Sequence, residues 1–326
     1  MNIAFYRTKP YDKLWFEPLS KEYGCNILFI ESGITEDTVI LAKNCGAVCI
    51  FVNDYVTEDI AKELEDIGIK LILLRCAGYN NVDLTATNAH NITVQRVPSY
   101  SPSAVAEFSI AAMLSVNRHI HRAYSRTRDF NMSINGLMGQ DLNGKIAGVI
   151  GTGKIGQCMI DIFNGFHMKV LAYDPFPNEN LDVIYVPLEE LFERSDFISL
   201  HCPLTKDTYH IINRISISLM KTGVIIANTS RGPLIESVAL VEGLKSGKIG
   251  GVALDVYEEE DEVFYEDFSN EIIQDDVLSR LCTLPNVLIT SHMGFFTKEA
   301  MHAIATTTLQ NAKDFENGEK LVNVVK

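Results

Sequence analysis

Short apolar runs of four or five residues, separated by amphipathic stretches, recur along the first hundred positions of the chain. Strands are predicted at 3–5, 27–30, 47–51, 71–74 and 93–97, with helical spacing between them near 12–23, 36–43 and 58–66. Such alternation implies a parallel sheet covered on both faces. Pro98 and Pro102 then break the chain, and Ser103 is placed to cap a long helix over about 104–127. Its first half, AVAEFSIAAMLSV, is apolar on most faces and needs burial on more than one side, which a subunit interface or an internal core explains equally well. The strand rhythm resumes at 147–150, 197–200, 224–228, 252–255 and 287–290, with a helix at 237–245 among them. Residues 258–276 are strongly acidic and carry several aromatics, which reads as a surface excursion. A final helix near 298–316 has an apolar face that needs a partner. The expected fold is therefore α/β, with two doubly wound parallel-sheet domains, Rossmann-like and flavodoxin-like, and a cleft between them. Residues 1–100 with 297–326 are expected to form a discontinuous substrate domain, and 101–296 a nucleotide domain.

The middle of the chain carries the sharpest local signal. Residues 147–174 read AGVIGTGKIGQCMIDIFNGFHMKVLAYD: an apolar strand, three glycines at 151, 153 and 156, a helical stretch, and a second strand ending on an acid. In a βαβ unit, Gly151 permits the tight turn, Gly153 lets backbone approach a pyrophosphate, and Gly156 lets helix and strand pack closely. Asp174, eighteen residues beyond Gly156, is placed to bond both ribose hydroxyls of an adenosine, so the expected cofactor is NAD rather than NADP.

Composition narrows the function class. The 326 residues suffice for two ordinary domains, and an apolar fraction of 47% with 21% charged residues is that of a globular protein. No run approaches the roughly 18 apolar residues of a membrane span, and the start reads as a strand rather than a basic leader, so a cytoplasmic protein is expected. A net charge of −14 argues against nucleic-acid or anionic-membrane partners and requires local cations to draw in an anionic substrate. The seven cysteines are scattered, with no C-x-x-C pair and no zinc spacing; they read as reduced core thiols, and no metal site is expected.

Three candidate side chains follow strands of the second half, where loops carry function. Arg231, in NTSRG, offers a planar fork that can grip a carboxylate and polarise the adjacent carbonyl. His292 can give or take a proton near neutral pH, as interconversion of a ketone and an alcohol requires. An acid beyond residue 255 would orient that imidazole, but spacing does not choose among Glu258, Glu259, Glu260 and Glu262.

Over nearly its full length the chain resembles the NAD-dependent D-isomer-specific 2-hydroxyacid dehydrogenases, most closely their fermentative D-lactate branch. The resemblance rests on RCAGYNNVDL (75–84), VPSYSPSAVAE (97–107), NRHIHRAYSRTRD (117–129), GVIGTGKIG (148–156), SLHCPLT (199–205), NTSRGPLI (228–235), KIGGVALDVYE (248–258) and NVLITSHMGFFT (286–297). It implies that the family's catalytic arginine, glutamate and histidine are Arg231, Glu260 and His292; Glu rather than Gln at 260 disfavours the related formate dehydrogenases. It further implies that Lys154 and Ile155 meet the pyrophosphate, that Asp174 holds the adenosine ribose, and that Cys202, Pro203 and Thr208 line the adenine-side wall. Thr229, Ser230, Arg231 and Asp255 would flank the nicotinamide, with Asp255 holding its carboxamide. The backbone of Ala77 and Gly78, together with Arg231, would receive the substrate carboxylate. Tyr100 would close the pocket, with Phe295 and Phe296 as an apolar wall. The implied activity is NADH-dependent reduction of the small 2-oxo acid pyruvate to D-lactate by a homodimer or homotetramer. Alternatives are another 2-oxo acid, such as phenylpyruvate, 2-oxoisocaproate, glyoxylate or hydroxypyruvate, and an NAD-sensing protein like the corepressors that resemble this family.

Overall fold

Parallel strand pairing dominates the computed structural model, which describes residues 1–260 and 263–325. The chain divides into two compact units, one of residues 1–101 with 296–326 and the other of residues 102–295.

The first unit opens with β1 (Asn2–Phe5), α1 (Pro10–Tyr23), β2 (Asn26–Phe29), β3 (Ala47–Ile50), α2 (Glu58–Asp66), β4 (Leu71–Leu74), α3 (Leu84–Ala89) and β5 (Thr93–Arg96). Its sheet order is β2-β1-β3-β4-β5, all parallel. The central strands β3 and β4 read AVCI and LILL and are buried at every residue, as sheets covered on both faces require. Local chemistry sets the helix ends: Pro10 enters α1 at its first position, Thr57 caps α2 through Ile60 N–H, and Asp83 caps α3 through Ala86 N–H at 2.9 Å.

The second unit begins with α4 (Pro102–Asn117), α5 (Ile120–Arg128), β6 (Ile146–Ile150), α6 (Lys154–Gly165), β7 (Lys169–Tyr173), β8 (Ile184–Tyr185), α7 (Leu188–Arg194) and β9 (Phe197–Leu200). It continues through α8 (Arg214–Leu219), β10 (Val224–Asn228), α9 (Ser237–Ser246), β11 (Ile249–Leu254), α10 (Asp276–Thr283) and β12 (Val287–Ile289). These strands form a seven-stranded parallel sheet in the order β12-β11-β10-β9-β6-β7-β8. The order reverses between β6 and β9, which opens the ligand-binding crevice of a doubly wound sheet beyond their carboxyl ends. The chain then returns to the first unit as α11 (Lys298–Glu316), which packs on α1 and β4. Val324 of the tail pairs antiparallel with Gln95, covering the edge strand β5.

Four local expectations are corrected. The helix predicted over 104–127 is two helices, broken at His119, which adopts a left-handed φ of +52°. Asn117 is held away from solvent by bonds to Gln140, its Nδ2 donating to the carbonyl at 2.8 Å and its Oδ1 accepting from the amide at 3.3 Å, so α4 ends there. Ser103 is not the cap, because α4 already begins at Pro102, whose ring suits a first-turn position. The stretch 36–43 forms only a single 3-10 turn, Val39–Ala42, in place of a helix. The acidic segment is not wholly superficial: Phe264 is 7% exposed and packs in the sheet core. The apolar α4 is covered within its own unit, by α6 on one side and by β10 and β11 on the other. All seven cysteines are free thiols; Cys282 is exposed.

Candidate functional site

The first unit places its predicted site residues on the loop after β4 and beyond β5. Ala77 and Gly78 are half-buried, and Arg96, at the end of β5, donates from Nη1 to the Ala77 carbonyl at 2.8 Å. Tyr100 is half-buried in the segment that leads out of this unit. Arg96 was not singled out in the sequence, because its role is to hold backbone and nothing in its own motif signals that.

In the second unit the glycine fingerprint lies on the turn from β6 into α6. A Cβ at Gly151, where φ is +92°, would stand 2.6 Å from Cys202 N, and one at Gly156 would stand 2.0 Å from Gly151 O. Both positions therefore require glycine. A Cβ at Gly153 would meet nothing within 4 Å, and Gly153 caps α6 without a side-chain bond. The first amides of α6, including those of exposed Lys154 and half-buried Ile155, are thus left to a ligand or solvent. Asp174 follows β7, with Oδ2 accepting from Thr152 N at 2.7 Å and Thr152 Oγ1 at 3.1 Å, and Oδ1 accepting from Phe176 N at 2.9 Å. The carboxylate is fixed in orientation and keeps lone pairs for further donors. These residues fit a dinucleotide: a tight glycine turn, an open helix N-terminus and an immobilised acid beside it.

Beyond β9 stand Cys202, Pro203 and Thr208, the last donating its hydroxyl to the Pro203 carbonyl at 2.6 Å. Burial pushes the Cys202 thiol up to about 12, so the group is neutral there. His201 beside it is pushed down to about 4 by burial and accepts or donates at Nε2 with Ser199 Oγ, 2.8 Å away.

The carboxyl ends of β10, β11 and β12 bring together the three expected chemical groups. Asn228 organises the first loop: its Nδ2 donates to Arg231 O at 2.8 Å and its Oδ1 accepts from Ser230 N at 3.1 Å. Arg231 donates from Nη1 to Ser230 O at 2.7 Å, and among the described residues no carboxylate pairs with its guanidinium. Thr229 is buried. Of the four candidate acids, Glu260 meets His292, its Oε1 lying 2.8 Å from Nδ1, while Oε2 accepts from Tyr257 N at 2.8 Å. Both side chains are largely shielded, at 16% and 17% exposure. Glu258 faces elsewhere, toward His210 and the Ser237 amide; Glu262 lies outside the described residues. The Arg231 loop abuts the Glu260 segment directly, since a Cβ at Gly232 would fall 1.8 Å from Tyr257 O.

Asp255 has a partner set the sequence did not disclose. Its Oδ1 accepts from Thr290 Oγ1 at 2.6 Å and Met293 N at 2.8 Å, and its Oδ2 accepts from Gly294 N at 2.7 Å. Burial raises this carboxyl above its ordinary range despite those bonds. The carboxylate therefore clamps the loop that carries His292, itself at a left-handed φ of +53°. Phe295 is half-buried at the end of that loop, and Phe296, assigned to the first unit, stacks edge-on with Tyr11 at 4.9 Å. Among the described residues there is no cluster of metal-ligating groups and no helix long and apolar enough to cross a membrane.

Comparison with known proteins adds to this geometry. Residues 110–294 match the family model for the NAD-binding domain of D-isomer-specific 2-hydroxyacid dehydrogenases. A D-lactate dehydrogenase of Escherichia coli is 51% identical over 326 residues, covering 99% of both chains. Among solved structures, apo D-lactate dehydrogenase from Escherichia coli is similar with a TM-score of 0.91 at 48% identity, covering all of both chains. The pyruvate reductase of Chlamydomonas reinhardtii is similar with a TM-score of 0.93 at 41% identity, covering 99% of this chain and 98% of that one.

Proposed function

The chain belongs to the NAD-dependent D-isomer-specific 2-hydroxyacid dehydrogenases, and from that premise we propose that it reduces pyruvate to D-lactate, with Arg231, His292 and Glu260 as its catalytic residues. The observation that carries the assignment is the shielded Glu260–His292 pair at 2.8 Å, set against the loop of an arginine that no described carboxylate neutralises.

Arg231 grips the 2-oxo acid's carboxylate and polarises its ketone, a task for which a bidentate fork suits better than an ammonium group. Bound NADH supplies the hydride. His292 gives its Nε2 proton to the ketone oxygen as the alcohol forms, because Nδ1 is committed to Glu260. The Glu260 carboxylate fixes that tautomer and stabilises the imidazolium that must precede transfer. Asp255 holds the His292 loop while it does so. Pyruvate is the favoured substrate because similar proteins of 41% and 51% identity are a pyruvate reductase and a D-lactate dehydrogenase. The same proposal includes a homodimer or homotetramer, read by light scattering of the purified protein.

The test is initial-rate NADH oxidation with pyruvate beside phenylpyruvate, 2-oxoisocaproate, glyoxylate and hydroxypyruvate, with chiral analysis of the product. Pyruvate should give the highest kcat/KM and D-lactate; preference for a bulkier acid would move the substrate and keep the chemistry. NADH binding without turnover would favour a sensor. Arg231→Ala should lower kcat/KM by about 100-fold or more, and His292→Gln should lower kcat by about 100 to 10,000-fold, the usual range for a lost general acid. Near-normal turnover in either variant would refute its assigned role.

A further inference from the structure

Two side chains of the second unit adopt left-handed backbone conformations and face each other. His292 has φ +53° and Tyr265 has φ +71°, an outlier for a bulky residue that persists only where surrounding structure enforces it. Their rings stack with centroids 6.1 Å apart and planes inclined by 30°, and the Tyr265 hydroxyl donates to the His292 carbonyl at 3.4 Å.

Backbone bonds of Glu260 and burial of Phe264 explain how Glu260 and Tyr265 reach the same histidine. The Glu260 carbonyl accepts from Val263 N at 3.1 Å and Phe264 N at 2.8 Å, which ties Glu260 to the residues just before Tyr265. Phe264 packs in the sheet core, and Tyr265 follows it. Glu260 therefore presents a carboxylate to the Nδ1 edge of His292, while Tyr265 brings an aromatic ring beside its face. The Glu260 bond restrains the imidazole at Nδ1 alone, and the Tyr265 ring adds a second, independent contact.

We propose that Tyr265 is a positioning residue for the reaction, holding the plane of the His292 imidazole by stacking and its backbone by the hydroxyl bond. The inference rests on the reading of His292 as proton donor. It places the energetic weight on the ring, because an O–H donor at 3.4 Å is a weak bond, whereas centroids 6.1 Å apart fall within the roughly 4.5–7 Å range of favourable aromatic pairs.

The experiment is a double-mutant cycle on the full chain with pyruvate and NADH. Tyr265→Leu should lower kcat by about tenfold, with KM for pyruvate and Kd for NADH changed by less than about twofold, since positioning of a proton donor is felt in the transition state. Tyr265→Phe, which keeps the ring, should restore kcat to within about threefold of the unaltered protein. In a His292→Gln background the Tyr265→Leu loss should vanish, because residues acting through one group are not additive. NADH binding by fluorescence reports that each variant is folded, and Tyr265→Met repeats the comparison should the leucine variant fail to bind. Unchanged kcat in Tyr265→Leu, or an equal loss with and without His292, would overturn the proposal. Full turnover in His292→Gln alone would instead remove the reading of His292 and this inference with it.

Discussion

A single missing methyl group lets two chemical loops meet. A Cβ at Gly232 would lie 1.8 Å from Tyr257 O and 2.1 Å from Tyr257 C, both backbone atoms that no side-chain rotation can move aside. Gly232→Ala must separate the Arg231 loop from the segment whose Tyr257 amide donates to Glu260. The expected outcome is a loss of about 1 to 3 kcal/mol in stability, the usual cost of overpacking. The same change should lower kcat/KM by more than about tenfold, because misplacement of catalytic groups is amplified in the rate. Urea unfolding and steady-state kinetics with pyruvate check the two effects; an alanine variant with native kcat/KM would show that the loops are not coupled. Residue type and spacing made Arg231 and His292 legible, since each follows an apolar strand in a short turn. They did not make the Glu260 partner legible by themselves. Four acids in one run satisfy the same spacing, and only the folded backbone, with the Glu260 carbonyl bonded to Val263 N and Phe264 N, decides which carboxylate meets the imidazole. Tyr265 carried no signal at all, being an aromatic in a charged stretch whose direction is set by burial of its neighbour.

At the scale of elements, what could be read was what hydrophobic periodicity alone determines. The buried strands AVCI, LILL and VIIAN announce themselves because both faces are covered. The break at His119 was hidden because Asn117 ends α4 through tertiary bonds to Gln140, and no local breaker precedes it. The short α3 was missed for a related reason: its stability comes from the Asp83 cap and from His90, which immediately follows it. His90 lies 2.7 Å from Glu65 and 3.0 Å from Glu58, bridging α3 to α2. The bond to Glu65, then that to Glu58, raises His90 above its ordinary range, and the His90 bond lowers Glu65. A base whose folded value is raised stabilises fully below its unfolded value, near 6.5, and loses that contribution as pH rises through the folded value. The lowered Glu65 acts in the opposite direction, losing its contribution only as pH falls below the ordinary carboxylate range. The α2–α3 clamp should therefore be strongest between the ordinary carboxylate range and about pH 6.5, and weaken as pH rises through the raised His90 value. Amide hydrogen exchange of α3, compared between the unaltered protein and His90→Gln, checks this. Protection should differ at pH 6 and converge at high pH, and a difference independent of pH would rule out the ionic clamp.

For the molecule as a whole, the decisive property is which ligand the folded chain binds and the unfolded chain does not. The glycine turn, the open end of α6 and Asp174 exist only in the folded second unit, so a dinucleotide must raise the thermal midpoint through mass action. At 100 times its Kd, NADH should add about 2.7 kcal/mol of stability. NADPH brings a 2′-phosphate to the place where Asp174 is held by the amides of Thr152 and Phe176, so the carboxylate cannot swing away without abandoning both bonds. If that repulsion weakens binding about 100-fold, the same concentration of NADPH adds only about 0.4 kcal/mol. Thermal scans with each nucleotide distinguish the two cases, and equal shifts would refute the assignment of Asp174. Asp174→Ala separates charge repulsion from an unrelated loss of fit. Removing the carboxylate should bring the two shifts together by improving NADPH and weakening NADH, whereas a general defect would depress both. The net charge of −14 would repel either anion at long range. The local source of discrimination expected by this assignment is the one strand end where a fixed acid would meet either two hydroxyls or a phosphate.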